Sequence, residues 1–137
     1  MLEKIPAPTS KEDLRVLVID NQGLVHDVVA SALHAIGIKH VVSAFNAFHA
    51  IRLCEEKRFD FVLLAFNVSH DKDGFHLFEE LKHLNHINDT TTVIFLSAET
   101  SPELVNCIVE LQPDDFWVKP LKPSSIESRL NYLLQIR

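Results

Sequence analysis

Phe61-Val62-Leu63-Leu64-Ala65 is an unbroken apolar run set between Asp60 and the polar stretch Asn67 to Gly74. A run this short and apolar at every position has the form of a strand buried on both faces, since alternation persists only where one face meets water. Val16-Leu17-Val18-Ile19, the run from Thr92 to Leu96 and Phe116-Trp117-Val118 share that character, with Val41-Val42-Ser43 as a shorter member. Between these runs the apolar residues change to helical spacing. Leu24, Val25, Val28, Val29, Ala32, Leu33 and Ile36 mark a first helix, with Gly37 as its stop. Phe48, Ile51, Leu53 and Cys54 mark a short second one, and Phe75, Leu77, Phe78, Leu81 and Leu84 a third. Pro102 suits the first turn of a fourth, carrying Leu104, Val105, Ile108, Val109 and Leu111. Ile126, Leu130, Leu133 and Leu134 mark the fifth, with Ser124 or Ser125 as candidate cap.

Strands that alternate with helices predict right-handed crossovers and an α/β fold whose parallel sheet is covered on both faces. Five such units fit the flavodoxin-like doubly wound order 2-1-3-4-5 with five helices. In that order the C-terminal ends of strands one, three and four open onto one crevice. Asp20, Asn21, Ala65 and Ser97 are expected to meet there, with Lys119 reaching in from strand five.

A length of 137 residues suffices to close one core without disulfides or metals. The net charge of -6 and the lack of a basic stripe argue against nucleic-acid binding. No apolar run approaches the ~20 residues of a membrane span, and the start lacks a signal-peptide layout. A cytoplasmic protein without membrane or nucleic-acid partners is expected. Residues 1–13 read as a flexible arm with Thr9-Ser10 as candidate cap, and residues 14–137 as the folded domain. Cys54 and Cys107 lack metal-ligand spacing and read as reduced core thiols. His34, His40, His49, His70, His76, His83 and His86 are scattered and read as solvated, with His83 and His86 on the polar side and end of one helix.

The set Asp20-Asn21, Ser97-Ala98 and Lys119-Pro120, with Phe116 three residues before the lysine, resembles the receiver domain of two-component response regulators. The resemblance runs from Leu14 to Ile136. In that family an acid pair and a central aspartate hold Mg²⁺, the aspartate accepts a phosphoryl group, and a hydroxyl and a lysine bind its oxygens. Carried over residue by residue, Asp20 matches the first acid, Ser97 the hydroxyl, Lys119 the lysine, and Phe116 the aromatic that changes rotamer on activation. Asn21 stands where the second acid would be, and Ala65 where the acceptor aspartate would be.

The departures set the expected chemistry. A methyl group has no lone pair, so no acyl phosphate can form at Ala65. Two of three carboxylates are gone, while Mg²⁺ needs oxygen ligands and negative charge; its binding is expected to be lost or weak, with no cofactor in its place. Loss of crowded charge relieves repulsion, and Lys119 is expected to pair with Asp20. The resemblance therefore implies a degenerate receiver, not an enzyme, that works in phosphorelay-type signalling through phosphorylation-independent protein contacts. Helix four, strand five and helix five are the expected partner face, including exposed residues of Pro102 to Glu110, Asp114, Trp117 and Lys122 to Arg137, and a homodimer through that face is also expected. The stretches Asn67 to Gly74, Leu111 to Phe116 and Leu121-Lys122-Pro123 resemble receivers that precede tetratricopeptide repeats, which implies such an output region beyond this chain. Two alternatives stay open. One is phosphoryl acceptance from a histidine kinase at a surrogate acid, Asp71 or Asp73. The other is a small-ligand sensor that uses the vacated pocket.

Overall fold

The computed structural model describes residues 10–68 and 73–136. Each apolar run becomes a strand and each helical pattern a helix, in strict alternation. The strands are β1 (Arg15–Ile19), β2 (His40–Ala44), β3 (Phe61–Ala65), β4 (Thr92–Ser97) and β5 (Asp115–Val118). The helices are α1 (Gly23–Ala35), α2 (Ala47–Glu56), α3 (Gly74–His83), α4 (Pro102–Leu111) and α5 (Pro123–Ile136). All pairings are parallel and the order is β2-β1-β3-β4-β5. This is the flavodoxin-like doubly wound arrangement.

Alternate strand residues feed two apolar layers, because successive side chains point to opposite faces. Leu17, Ile19, Val62, Leu64 and Phe95 pack with Ala50, Leu77, Leu81 and Ile108 of α2, α3 and α4. Val16, Val18, Leu63, Ala65, Ile94, Leu96 and Trp117 pack with Val29, Leu33, Ile126 and Leu130 of α1 and α5. β3 lies at the centre and is buried at all its positions, which is why its sequence shows no alternation. Each such Leu or Phe contributes about 1.5–3 kcal/mol of apolar transfer.

Side-chain oxygens satisfy the free N–H groups at three helix starts. Asn46 accepts from His49 N at 2.8 Å, Asp73 from His76 N at 2.9 Å and Ser101 from Leu104 N at 3.3 Å. Gly37, just past α1, has φ +94°, a left-handed value that glycine tolerates without strain. α5 differs from expectation. It begins at Pro123, whose fixed φ suits a first helical residue, so Ser124 and Ser125 lie inside the first turn and not at the cap.

Three other expectations are corrected. Cys107 is exposed, since α4 buries only Leu104 and Ile108, while Cys54 is buried and its thiol is pushed up to about 11 by burial. Trp117 is buried against α5 and is not an exposed residue of the partner face. His86 lies beyond the end of α3. At the other end of the chain, Ser10 caps a 3-10 turn over Lys11–Asp13, and Lys11 Nζ donates to Asn131 Oδ1 of α5 at 3.4 Å. The expected arm thus ends in a docked turn; residues 1–9 lie outside the described residues.

Candidate functional site

The register sets Ala65 beside Leu96 and Ser97 beside Val118, so β3, β4 and β5 deliver their last residues to one edge. Asp20 follows β1 at the same edge and is the hub of the site. It is 0% exposed. Its N–H donates to the Ala44 carbonyl at 3.1 Å, and Oδ1 accepts from Gln22 N at 2.9 Å. Lys119 Nζ stands 2.8 Å from Oδ2, with 17% of the lysine side chain exposed. Oδ2 makes no aligned hydrogen bond, so that contact is electrostatic. A buried carboxylate is tolerated only when paired or hydrogen-bonded, and Lys119 supplies the charge. The same ammonium donates to Gln22 Oε1 at 3.1 Å.

Ala65 ends β3 at 1% exposure, its methyl within the layer covered by α1 and α5. Gly74 starts α3 against it. A Cβ at Gly74 would stand 2.3 Å from the Ala65 carbonyl oxygen, and Gly74 N donates to the Phe66 carbonyl at 2.6 Å. Only glycine fits that approach. Ser97 is buried; its Oγ accepts from Glu99 N at 3.0 Å and its carbonyl from Lys119 N at 2.8 Å. Asn21 is exposed in the bend before α1. Phe116 is half-buried and packs toward the α2–α3–α4 layer, opposite Trp117. The edge therefore gathers Asp20, Ala65, Ser97 and Lys119, with Asn21 at the rim.

That donor set does not suit Mg²⁺. Among the described residues Asp20 supplies the one carboxylate at this edge and already faces a lysine ammonium, while the neighbouring positions offer a methyl and an exposed amide. Among the described residues no cluster of three His, Cys, Asp or Glu side chains could hold a metal ion. Of the surrogate acids, Asp73 is the cap of α3, its Oδ1 also 2.8 Å from His76 Nδ1. Asp71 lies outside the described residues.

Two residues of the site were not foreseen. His26 on α1 is buried, its Nε2 2.7 Å from the Asp20 carbonyl oxygen, and its ring centroid lies 4.2 Å from that of Phe45. A carbonyl only accepts, so Nε2 carries the proton. Its spacing of three from Val29 places it on the apolar stripe, which was the available signal. Gln22 had none, because its partner is 97 positions away.

Beside this edge runs a groove of about 390 Å³ between the end of β5 and α5, lined among others by Phe116, Val118, Pro120, Leu121, Lys122 and Ile126. Asp115 braces it from behind. Its carboxylate accepts from Trp117 Nε1 at 2.8 Å and from Arg129 Nε at 2.9 Å, with Arg129 Nη2 closing the fork. Hydrogen bonding to Asp115, together with its charge, holds the Arg129 guanidinium above its ordinary range against a smaller opposing effect of burial.

Residues 16–131 match the family model of the response regulator receiver domain. No curated protein sequence matches the chain. Among solved structures, the chain is similar to the chemotaxis protein CheY4 of Vibrio cholerae, at 23% identity and TM-score 0.77, over 87% of this chain and 97% of that one. It is likewise similar to a two-component response regulator from Clostridium difficile, at 20% identity and TM-score 0.79, over 90% and 97%. For the receiver domain of NtrX from Brucella abortus the values are 23% and 0.77, over 89% and 99%. At these identities the structures speak for the fold. The family match spans most of the sequence, and the chain belongs to the response regulator receiver domain family.

Proposed function

We propose that this receiver domain signals without phosphoryl transfer, as a protein-interaction module of a two-component-type regulator in the cytoplasm. The observation that carries this is Ala65. A buried methyl stands at the end of β3, where the family's chemistry calls for a nucleophilic carboxylate. Two further features support it. Asn21 removes a second charge from the metal's surroundings, and Lys119 is engaged by Asp20 and Gln22. In this role the pocket binds no Mg²⁺ and carries no acceptor.

The partner face is formed by α4, β5 and α5. Val109, Val118 and Tyr132 are 66%, 50% and 60% exposed there, and the groove beside Val118 mixes apolar Phe116, Leu121 and Ile126 with polar Lys122, Ser125 and Arg129. Exposed apolar side chains on a charged surface suit a protein partner, including a second copy of the chain. A tetratricopeptide-repeat output region following the domain fits the same role, since such arrays bind peptides. The test is incubation with acetyl phosphate and Mg²⁺, read by intact mass and by melting temperature. No adduct and no shift are expected, because a ligand stabilises only what binds it. Gain of one phosphoryl group would overturn the proposal.

A further inference from the structure

On the footing of that phosphoryl-free role, we infer that Gln22 is a positioning residue that clamps Lys119 and so fixes the β5–α5 turn that walls the groove. Gln22 occupies the cap position of α1, with φ −104° and ψ 116°, yet its side chain makes no capping bond. Ser, Thr, Asp or Asn would ordinarily stand there, because their short side chains reach back to the first N–H groups. Gln22 reaches outward instead and accepts from Lys119 Nζ at 3.1 Å.

The clamp has a definite chemical logic. Lys119 has three N–H donors. Asp20 Oδ2, 2.8 Å away, neutralises its charge without an aligned hydrogen bond. The Gln22 amide oxygen supplies the aligned bond. Both oxygens come from the β1–α1 connection, while the lysine belongs to the turn after β5. From the sheet side the Ser97 carbonyl accepts from Lys119 N at 2.8 Å. Lys119 is therefore held at its backbone by β4 and at its tip by β1–α1. The next residues, Pro120, Leu121 and Lys122, line the groove. Releasing the tip frees the turn, and with it the shape that a partner would meet.

Amide hydrogen exchange on the full chain tests this, because it reads local opening without needing a partner. In Gln22→Ala, exchange of the Lys119 and Ile126 amides, which donate to the Ser97 and Lys122 carbonyls on either side of the turn, is expected to accelerate by about tenfold, with Leu63 of central β3 unchanged. Gln22→Glu keeps an acceptor oxygen and is expected to retain wild-type exchange in the turn. Unchanged exchange in Gln22→Ala would overturn the clamp, as would acceleration in Gln22→Glu equal to that in Gln22→Ala. Equal acceleration at Leu63 would overturn it too, by showing general loosening. A phosphoryl adduct in the mass experiment would sink the phosphoryl-free role while leaving the exchange outcome to decide the clamp by itself.

Discussion

Gly74 meets Ala65 with no space between them: a methyl on the glycine would lie 2.3 Å from the alanine's carbonyl oxygen. The start of α3 is thereby fixed against the end of β3. Gly74→Ala must push backbone against backbone, and overpacking of this kind costs about 3 kcal/mol. Urea unfolding should show a lower midpoint with an unchanged slope. A midpoint equal to wild type would mean that α3 shifts freely along the sheet.

The pair of Asp20 and Lys119 predicts an asymmetric response to mutation. Lys119→Met leaves a buried carboxylate without its counter-charge, and with the lysine partly open to water the expected loss is about 2 kcal/mol. Adding Asp20→Asn removes the stranded charge and should recover part of that loss. Thermal melts of the two single variants and the double variant form the cycle. A double variant less stable than Lys119→Met would contradict the electrostatic account.

Restoring the missing acids should restore the missing ligand. Ala65→Asp alone inserts a second carboxylate near the buried Asp20 and should cost about 1–3 kcal/mol without metal. In Asn21→Asp/Ala65→Asp, added Mg²⁺ should raise the melting temperature, and acetyl phosphate should then leave a phosphoryl adduct. The wild-type chain should respond to neither. Absence of any Mg²⁺ effect in the double variant would mean that the scaffold itself has drifted from a metal-binding geometry.

Cys54 gives a pH signature whose sign follows from its burial. Its thiol is raised from 9.0 to about 11 in the folded chain. The unfolded chain therefore loses this proton first, and the stabilisation from the neutral buried thiol is whole below pH 9.0 and lost as pH rises toward about 11. Cys54→Val removes the titrating group at similar volume, so its stability should fall less steeply over that window. Equal slopes would exclude Cys54 as the source.

On the partner face, Val118→Asp should leave folding within about 0.5 kcal/mol of wild type, because the side chain is half exposed. If a homodimer forms through α4, β5 and α5, the same change should abolish it. Sedimentation at high concentration provides the measurement, and a wild-type chain that stays monomeric there would dispose of the homodimer.

The strands were legible because a two-sided parallel sheet demands uninterrupted apolar runs, and Val16 to Ile19 or Phe61 to Ala65 fit nothing else as well. Their common edge followed from the doubly wound strand order, which points the ends of strands one, three and four at one crevice and so draws Asp20, Asn21, Ala65 and Ser97 together, with Lys119 reaching in from strand five. Trp117 shows where that logic stops. Alternation along β5 says that Phe116 and Trp117 face opposite ways, but which of them is covered depends on where α5 lies, and α5 lies over Trp117. His26 and Gln22 escaped for a related cause. Their roles depend on Phe45 and Lys119, partners that only the closed sheet brings near. Cys107 matched a helical pattern, yet α4 buries a stripe too narrow to include it.

The unequal burial of the two cysteines equips the protein with a reporter of its own. At neutral pH a thiol-specific dye should find Cys107, open to solvent on α4, and pass over Cys54, which is shielded and held protonated. One label would then sit on α4, a helix of the proposed partner face, with no mutation needed to place it. Fluorescence from that position, titrated against candidate partners, would turn a surface inferred from packing into one that can be observed directly.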